Sequence, residues 1–165
     1  MTESWRDQVA ISALLSAYAD VVTRRAWPEL RDLFVPDAPI RVDTVTRPTR
    51  ELTGADELGA FIGAAIERFG FFELVILNAR IQVDPSPSAG APSTARARVL
   101  IGEIRQDRAD GEWSHTYGVY HDHYHAEAGT GRWRFASRDY QSLARTGSAQ
   151  AFPFPTGFAL DPPGA

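Results

Sequence analysis

One stretch late in the chain alternates two kinds of side chain that can do chemistry. Residues 120–125 read Tyr-His-Asp-His-Tyr-His. Since successive side chains of a β-strand point to opposite faces, a strand here carries Tyr120, Asp122 and Tyr124 on one face and the histidines on the other. A carboxylate in an apolar pocket has a raised pKa and can shuttle a proton near neutral pH. Asp122 is therefore the first candidate for an acid/base group.

Asp122 also has a purely structural interpretation. Arg138 lies on the next predicted strand, where it can form a cross-strand ion pair with Asp122 that holds the hairpin together. The hydroxyls of Tyr18 and Tyr120 are candidates to bind a substrate oxygen that gains negative charge. The alternative for each tyrosine is a ring in the core with its hydroxyl bonded to the backbone.

The histidines form the most distinctive local pattern, because all four lie between positions 115 and 125. His121, His123 and His125 have a spacing at which a strand can present metal ligands. Three roles stay open for the histidines: they lie on an outer surface or subunit interface, they supply a base in the pocket, or they bind a metal. One β-bulge in the strand would exchange its two faces. The pattern alone gives no reason to expect a cofactor.

Arg138 and Tyr124 are also candidates for contact with a ligand, and two further candidates come from other elements. Asn78 alternates with Leu74 and Ile76, so we expect one amide on an apolar strand face, where it orients a ligand or is a satisfied buried amide. Phe61 belongs to the apolar stripe of a predicted helix and is assigned to the core or the pocket wall. No phosphate loop, dinucleotide-binding glycine pattern or nucleophile elbow is present in the sequence.

The elements that must hold these residues follow from hydrophobic periodicity and turn residues. Helices come first, with one short strand among them, and a four-stranded antiparallel meander follows, which is an α+β pattern. A strongly curved sheet closed by helices leaves a cavity, the usual place for a ligand. The predicted helices are 4–25, 27–34 and 55–69, and the predicted strands are 40–45, 71–84, 93–107, 112–126 and 131–144.

Composition favours one globular domain. The chain has 165 residues, 44% of them apolar, with no cysteine and a net charge of -4. We expect a domain over residues 1–147 and a tail rich in proline and aromatics over 148–165, in which Phe152, Phe154 and Phe158 cover a neighbouring subunit or the pocket.

We expect no nucleic-acid or membrane partner, because the arginines form no basic stripe and no stretch could span a bilayer. A cytoplasmic location is the simplest expectation.

Several loose motifs, taken in order, resemble the SnoaL-like branch of the nuclear transport factor 2-like superfamily. Together they cover roughly residues 8–145. They are Tyr18 followed by Trp27, the stretch Leu33-Phe34-Val35-Pro36-Asp37-Ala38, Gly54-Ala55-Asp56-Glu57-Leu58, Asn78-Ala79-Arg80-Ile81, the run from Gly118 to Tyr124, Trp133-Arg134-Phe135, and Arg138.

This resemblance implies a cone-shaped α+β barrel, with three N-terminal helices packed on a strongly curved, mostly antiparallel sheet, around a pocket for an apolar small molecule. This branch includes polyketide cyclases, scytalone dehydratase and bile-acid dehydratases. The resemblance to them implies that this chain catalyses a cofactor-free cyclisation, isomerisation or dehydration of a polycyclic, polyketide-like or steroid-like molecule. The Tyr-x-Asp-x-Tyr run at Tyr120, Asp122 and Tyr124 resembles theirs and implies that this face lines the pocket, with Asp122 as acid/base. The histidines then lie on the outer face, and we expect a homodimer or homotrimer.

The sequence departs from the dehydratases at their His–Asp pair. The resemblance places the aspartate of this pair at Thr23 and the histidine near Leu74. A pocket arginine of the bile-acid enzymes corresponds to a position near Ser142, which is not an arginine. We therefore assign Thr23 and Leu74 to substrate contact rather than to proton transfer. The departure also supports an alternative function, a non-catalytic binding or assembly domain in which Asp122 and Arg138 satisfy each other and no titratable group faces the cavity.

Overall fold

A computed structural model describes residues 4–84, 91–147 and 151–162 of the chain. Helices dominate the first third and long strands the rest. The elements in chain order are helix α1 (Ser4–Arg24), a 3₁₀ helix (Trp27–Asp32), strands β1 (Pro39–Asp43) and β2 (Arg50–Thr53), helix α2 (Gly54–Ile66), and strands β3 (Phe69–Val83), β4 (Thr94–Asp107), β5 (Trp113–Ala126) and β6 (Trp133–Arg145).

Helix α1 forms because apolar residues recur at helical spacing along one face. Ile11, Leu15, Tyr18 and Val22 are all at most 2% exposed, and they pack this face against the sheet, chiefly against β3. Helix α2 packs on the 3₁₀ helix through small residues. A Cβ at its Gly59 would lie 3.2 Å from the Trp27 side chain, so glycine permits the close approach.

The described strands form one six-stranded sheet in the order β2-β1-β6-β5-β4-β3. Strands β3 to β6 are an antiparallel meander, and β1 joins its edge parallel to β6. The sheet is strongly curved, is not closed, and has its helices packed on one side. The predicted α+β class is thus confirmed.

Three details of the elements differ from the prediction. The second helix is a 3₁₀ helix, and α2 ends at Ile66 because Phe69 already begins β3. Strand β2 was not predicted, since a four-residue edge strand with mostly exposed side chains carries no clear periodicity.

Within the described residues, no helix is long and apolar enough to cross a membrane.

Bulges decide which side chains face the helices. Strand β5 keeps its alternation, because the extra residues of its pairing with β6 lie on β6, at Ala136 and Leu143. Strand β3 has an extra residue at Leu77, where Ile76 pairs with Ile101 but Asn78 pairs with Leu100. Beyond this bulge the inward positions of β3 shift by one residue.

The described tail, residues 151–162, crosses the outer face of its own sheet. It begins at β6, where the Phe152 backbone N–H donates to the Leu143 carbonyl at 2.8 Å, and continues over β5 and β4. There the Arg98 guanidinium donates to the Phe158 carbonyl at 2.7 Å. None of these tail residues lines the cavity described below, so the prediction that the tail covers the pocket is wrong for this segment.

Candidate functional site

A cavity of about 530 Å³ lies between the helices and the inner face of the sheet. Roughly half of its wall is apolar. The apolar lining comprises Val22 from α1, Leu58, Phe61, Ile62, Ala64, Ala65 and Ile66 from α2, Ile40 and Val42 from β1, and Phe69, Phe72 and Leu74 from β3. The volume is within the range of small-molecule sites.

Asp122 and Arg138 form a buried ion pair beneath the cavity. Arg138 Nε and Nη2 donate to the two Asp122 carboxylate oxygens at 2.7 Å each, and the Tyr124 hydroxyl donates to Asp122 Oδ2 at 2.9 Å. The two side chains are 0% and 1% exposed. Burial alone would lower the pKa of Arg138, but the Asp122 charge and hydrogen bonds outweigh it and raise that pKa, so the guanidinium stays charged.

Aromatic rings surround the Arg138 guanidinium. Its Cζ atom lies 3.8 Å from the ring centre of Tyr120 and 4.2 Å from that of Tyr18, within the range of cation–π attraction. Both tyrosines line the cavity together with Arg138. Burial raises the pKa of both phenols, and the Arg138 charge opposes the shift, so they are protonated donors at neutral pH.

A second polar group lies on the inner face of the three central strands. Glu103 of β4 pairs in register with Thr116 of β5, which pairs with Arg145 of β6, and all three line the cavity. Arg105 follows Glu103 on the same strand face, with 3.6 Å between the guanidinium and the carboxylate. Burial raises the pKa of the Glu103 carboxyl, while Arg105 and Arg145 oppose the shift.

Tyr140 connects the two polar groups. Its ring centre lies 5.5 Å from that of Tyr120, and its hydroxyl lies 3.1 Å from the Ser142 hydroxyl. Burial and the Glu103 charge raise the pKa of Tyr140 to about 12. The ring occupies the space above Gly118, where a Cβ would lie 2.3 Å from a ring carbon, so only glycine permits this position.

Comparison with known proteins agrees with this architecture. A family model for the SnoaL-like domain matches residues 3–139. The chain belongs to the SnoaL-like domain family. Among curated proteins no sequence match is found.

Solved structures share the fold of this SnoaL-like domain at low sequence identity. A putative scytalone dehydratase from Novosphingobium aromaticivorans superposes with a TM-score of 0.68 at 21% identity, covering 94% of this chain and 97% of that one. The hexachlorocyclohexane dehydrochlorinase LinA-type3 from Novosphingobium barchaimii superposes with a TM-score of 0.68 at 18% identity, covering 92% and 97%. A nuclear transport factor 2-like protein from Salmonella enterica gives 0.63 at 18% identity, covering 86% and 94%.

The structure brings five of the predicted site residues to the cavity of the SnoaL-like domain. Tyr18, Phe61, Leu74, Tyr120 and Arg138 all line it. Both tyrosine rings are at most 6% exposed, so they are core residues and cavity residues at once.

Asp122 and Tyr124 do not line the cavity. They lie on the inner face of β5, as its alternation predicts, but Asp122 is covered by the ion pair and Tyr124 is turned to Asp122. The prediction that Asp122 faces the cavity is therefore wrong, and the cross-strand pair with Arg138 is what forms. The alternative of a non-catalytic domain also predicted that no titratable group faces the cavity. That prediction is wrong, because Glu103 and Arg105 line the cavity wall.

Asn78 and Thr23 are likewise away from the cavity. The bulge at Leu77 turns Asn78 to the outer face, where it is exposed, so its assignment to the pocket is wrong. The Thr23 hydroxyl accepts a hydrogen bond from the Leu74 backbone N–H at 3.1 Å, so this side chain contacts β3 instead of a ligand. The two positions of the expected His–Asp pair are thus adjacent, yet neither carries an acid or a base.

The histidine face is the outer one. His121 is covered by the tail, with its ring stacked 4.3 Å from that of Phe158, and His123 and His125 are exposed. Burial and the nearby Arg98 lower the pKa of His121. No group of three acidic or histidine side chains among the described residues could hold a metal ion.

Glu103 is the site residue that sequence reasoning missed. A signal was present, because β4 alternates Ala95, Ala97, Val99 and Ile101 on one face and then places Glu103 on that same face. A single carboxylate at the end of an apolar strand face is the pattern of a group that faces a cavity instead of solvent.

Proposed function

We propose that this SnoaL-like domain is a cofactor-free acid/base enzyme that isomerises, cyclises or dehydrates a mostly apolar fused-ring molecule. The observation that carries the proposal is Glu103, the one carboxylate among the described residues that line the cavity. The solved structures of similar fold include a putative scytalone dehydratase and a dehydrochlorinase, whose names are compatible with such chemistry.

Glu103 is the proton acceptor in this proposal. Its side chain keeps 22% of its surface accessible, it lines the cavity, and burial raises its pKa toward the range in which a carboxylate exchanges protons efficiently. No hydrogen bond to another described residue ties down its oxygens, since the nearest ion-pair contact, to Arg105, is 3.6 Å long. The carboxylate is thus free to take a proton from carbon.

Tyr18 and Tyr120 stabilise the negative oxygen that such a step creates. When a proton leaves the carbon next to a carbonyl for Glu103, the C–H electron pair moves toward the carbonyl and the oxygen becomes an enolate. The phenols donate hydrogen bonds to it, and Arg138 beside them keeps a positive charge within 4.2 Å of each ring centre. Return of the proton to another carbon completes an isomerisation. Expulsion of a β-hydroxyl group, which takes the proton from Glu103 and leaves as water, completes a dehydration.

Proton exchange tests this function without knowledge of the natural substrate. A bicyclic ketone such as β-tetralone is incubated with the protein in heavy water, and loss of its acidic C–H signals is followed by proton NMR. We expect exchange well above the buffer rate for the wild type and near the buffer rate for Glu103→Gln. Glu112→Gln, an exposed turn residue, is the matched control. Equal exchange by wild type and Glu103→Gln would refute the assignment.

A non-catalytic binding domain is the second candidate. It is favoured by Thr23 and Leu74, which occupy the positions of the expected His–Asp pair. The Thr23 hydroxyl accepts a hydrogen bond from the Leu74 backbone N–H, and neither side chain is an acid or a base. This candidate predicts that fused-ring ligands bind while no ketone of a broad panel exchanges faster than in buffer.

A further inference from the structure

The cavity lining carries an excess of positive charge although the whole chain is acidic. Five arginines and one glutamate are found among the described lining residues, whereas the chain has a net charge of -4. Positive charge focused in an apolar cleft attracts anions. The cationic lining residues are Arg47, Arg68, Arg105, Arg138 and Arg145.

Carboxylates compensate three of these five charges. Asp122 neutralises Arg138, Asp107 lies 3.4 Å from Arg68, and Glu103 lies 3.6 Å from Arg105. The remaining two have no carboxylate within ion-pair distance among the described residues.

Arg145 is one of the two, and it is held in place by neutral acceptors. Its Nη2 atom donates to the Thr44 carbonyl at 2.6 Å and to the Ser142 hydroxyl at 3.2 Å, and its Nη1 atom donates to the Thr46 hydroxyl at 3.0 Å. These bonds fix the guanidinium at the cavity without cancelling its charge. Arg47, the other one, is exposed at the rim.

Unpartnered polar atoms lie beside this charge. Thr116 is 4% exposed, lines the cavity, and its hydroxyl has no hydrogen-bond partner within the described chain. The buried Nε of Arg105 also lacks one. A buried polar atom without a partner costs free energy, so such atoms on a cavity wall mark where a polar part of a ligand fits. In register, Thr116 lies between Glu103 on β4 and Arg145 on β6.

We propose that the substrate is an amphipathic organic anion, an apolar fused-ring body that carries a carboxylate group. The carboxylate lies against Arg105, Thr116 and Arg145, and the ring body packs against the apolar residues of α2. This inference rests on the proposed function, since it places the acid group and the reacting carbon in the same cavity. Arg47 at the rim adds long-range attraction and makes no required contact.

A matched pair of ligands tests the inference. β-Naphthoate and β-naphthamide have nearly the same shape but differ by one charge, and their affinities are measured by isothermal titration calorimetry. We expect the acid to bind about tenfold more tightly or better, as charge-assisted hydrogen bonds allow, with a difference that shrinks in high salt. Arg145→Gln and Arg105→Gln should each remove most of this preference, because they weaken binding of the acid far more than binding of the amide. Arg132→Gln, at an exposed position between β5 and β6, should preserve the preference.

The possible failures are distinguishable. Equal affinities for acid and amide in the wild type overturn the anion inference, and so does a preference that survives both arginine substitutions. If neither ligand binds at millimolar concentration, the anion inference and the fused-ring ligand of the proposed function fall together. If the acid is preferred but no ketone exchanges protons, the anion inference stands and the enzymatic function fails.

Discussion

Replacing Asp122 with asparagine separates a structural carboxylate from a catalytic one. In the structure both carboxylate oxygens are used, since Arg138 binds them at 2.7 Å each and Tyr124 donates to Oδ2 at 2.9 Å. Asparagine is nearly the same size but carries no charge. Its amide nitrogen would face a donor of Arg138 or Tyr124, so at least one of these bonds becomes a donor–donor contact.

The cost follows from burial. The partners are 0% and 1% exposed, and Arg138 keeps its positive charge in the variant because a guanidinium stays protonated in proteins. Removing one partner of a buried ion pair costs about 3–5 kcal/mol, because an uncompensated charge remains in the interior. For a chain of this size that corresponds to a fall in Tm of roughly 6–20 °C.

Differential scanning calorimetry measures this change, and the double variant Asp122→Leu with Arg138→Met is the control. Replacement of both partners by apolar side chains of similar volume is often close to neutral, so the double variant should recover much of the lost stability. If Asp122→Asn melts within about 2 °C of the wild type, far less than a buried pair should cost, while ketone exchange is abolished, the carboxylate transfers protons itself.

Three further variants test other parts of the structure. The exchange rate should rise with pH through a pKa above the ordinary glutamate value, because burial raises the pKa of Glu103 and a base works only when it is deprotonated. Glu103→Gln should remove this rise. Gly118→Ala should lower the free energy of unfolding by about 1–3 kcal/mol, measured as a lower Tm, because the new Cβ forces the Tyr140 ring to move. Gly102→Ala should cost less, because its Cβ would lie 3.5 Å from the nearest side chain. Truncation after Gly147 should lower Tm and raise the pKa of His121 in an NMR titration, because the tail rings that bury it are removed.

Each of these outcomes has a contrary result. A rate that stays flat with pH in the wild type would mean that another group accepts the proton. Equal melting of Gly118→Ala and Gly102→Ala would mean that Tyr140 has another position available. An unchanged His121 titration after truncation would mean that the tail does not cover this face in solution.

The inner and outer faces of β5 could be predicted from the sequence because that strand contains no bulge. The face of Asn78 could not, because the extra residue at Leu77 is set by how β3 pairs with β4, and no residue type near it announces a bulge. Once the alternation is broken, every later side chain of β3 lies on the face opposite to the predicted one.

The chemistry of the site was harder to predict than the fold. Asp122 stands out in the sequence because it is flanked by tyrosines and histidines, whereas Glu103 is flanked by glycine and isoleucine. Yet Arg138 of the neighbouring strand β6 lies beside Asp122 on the inner face of the sheet, and its buried charge requires a carboxylate. The ion pair with Arg138, which the sequence offered as the structural interpretation of Asp122, thus forms and leaves Glu103 as the acid that faces the cavity.

The adjacency of Thr23 and Leu74 permits a gain-of-function test of this division of roles. In the Glu103→Gln background, Thr23→Asp with Leu74→His builds the His–Asp pair that the resemblance to dehydratases implies. An aspartate at position 23 can keep the bond that Thr23 now accepts from the Leu74 N–H at 3.1 Å, and position 74 lines the cavity. We expect ketone exchange to return with a pH dependence set by a histidine, near its ordinary pKa of about 6.5. Leu74→His alone, without the orienting carboxylate, should restore less; a folded double variant without exchange would show that a base at this part of the wall cannot reach the carbon that Glu103 reaches.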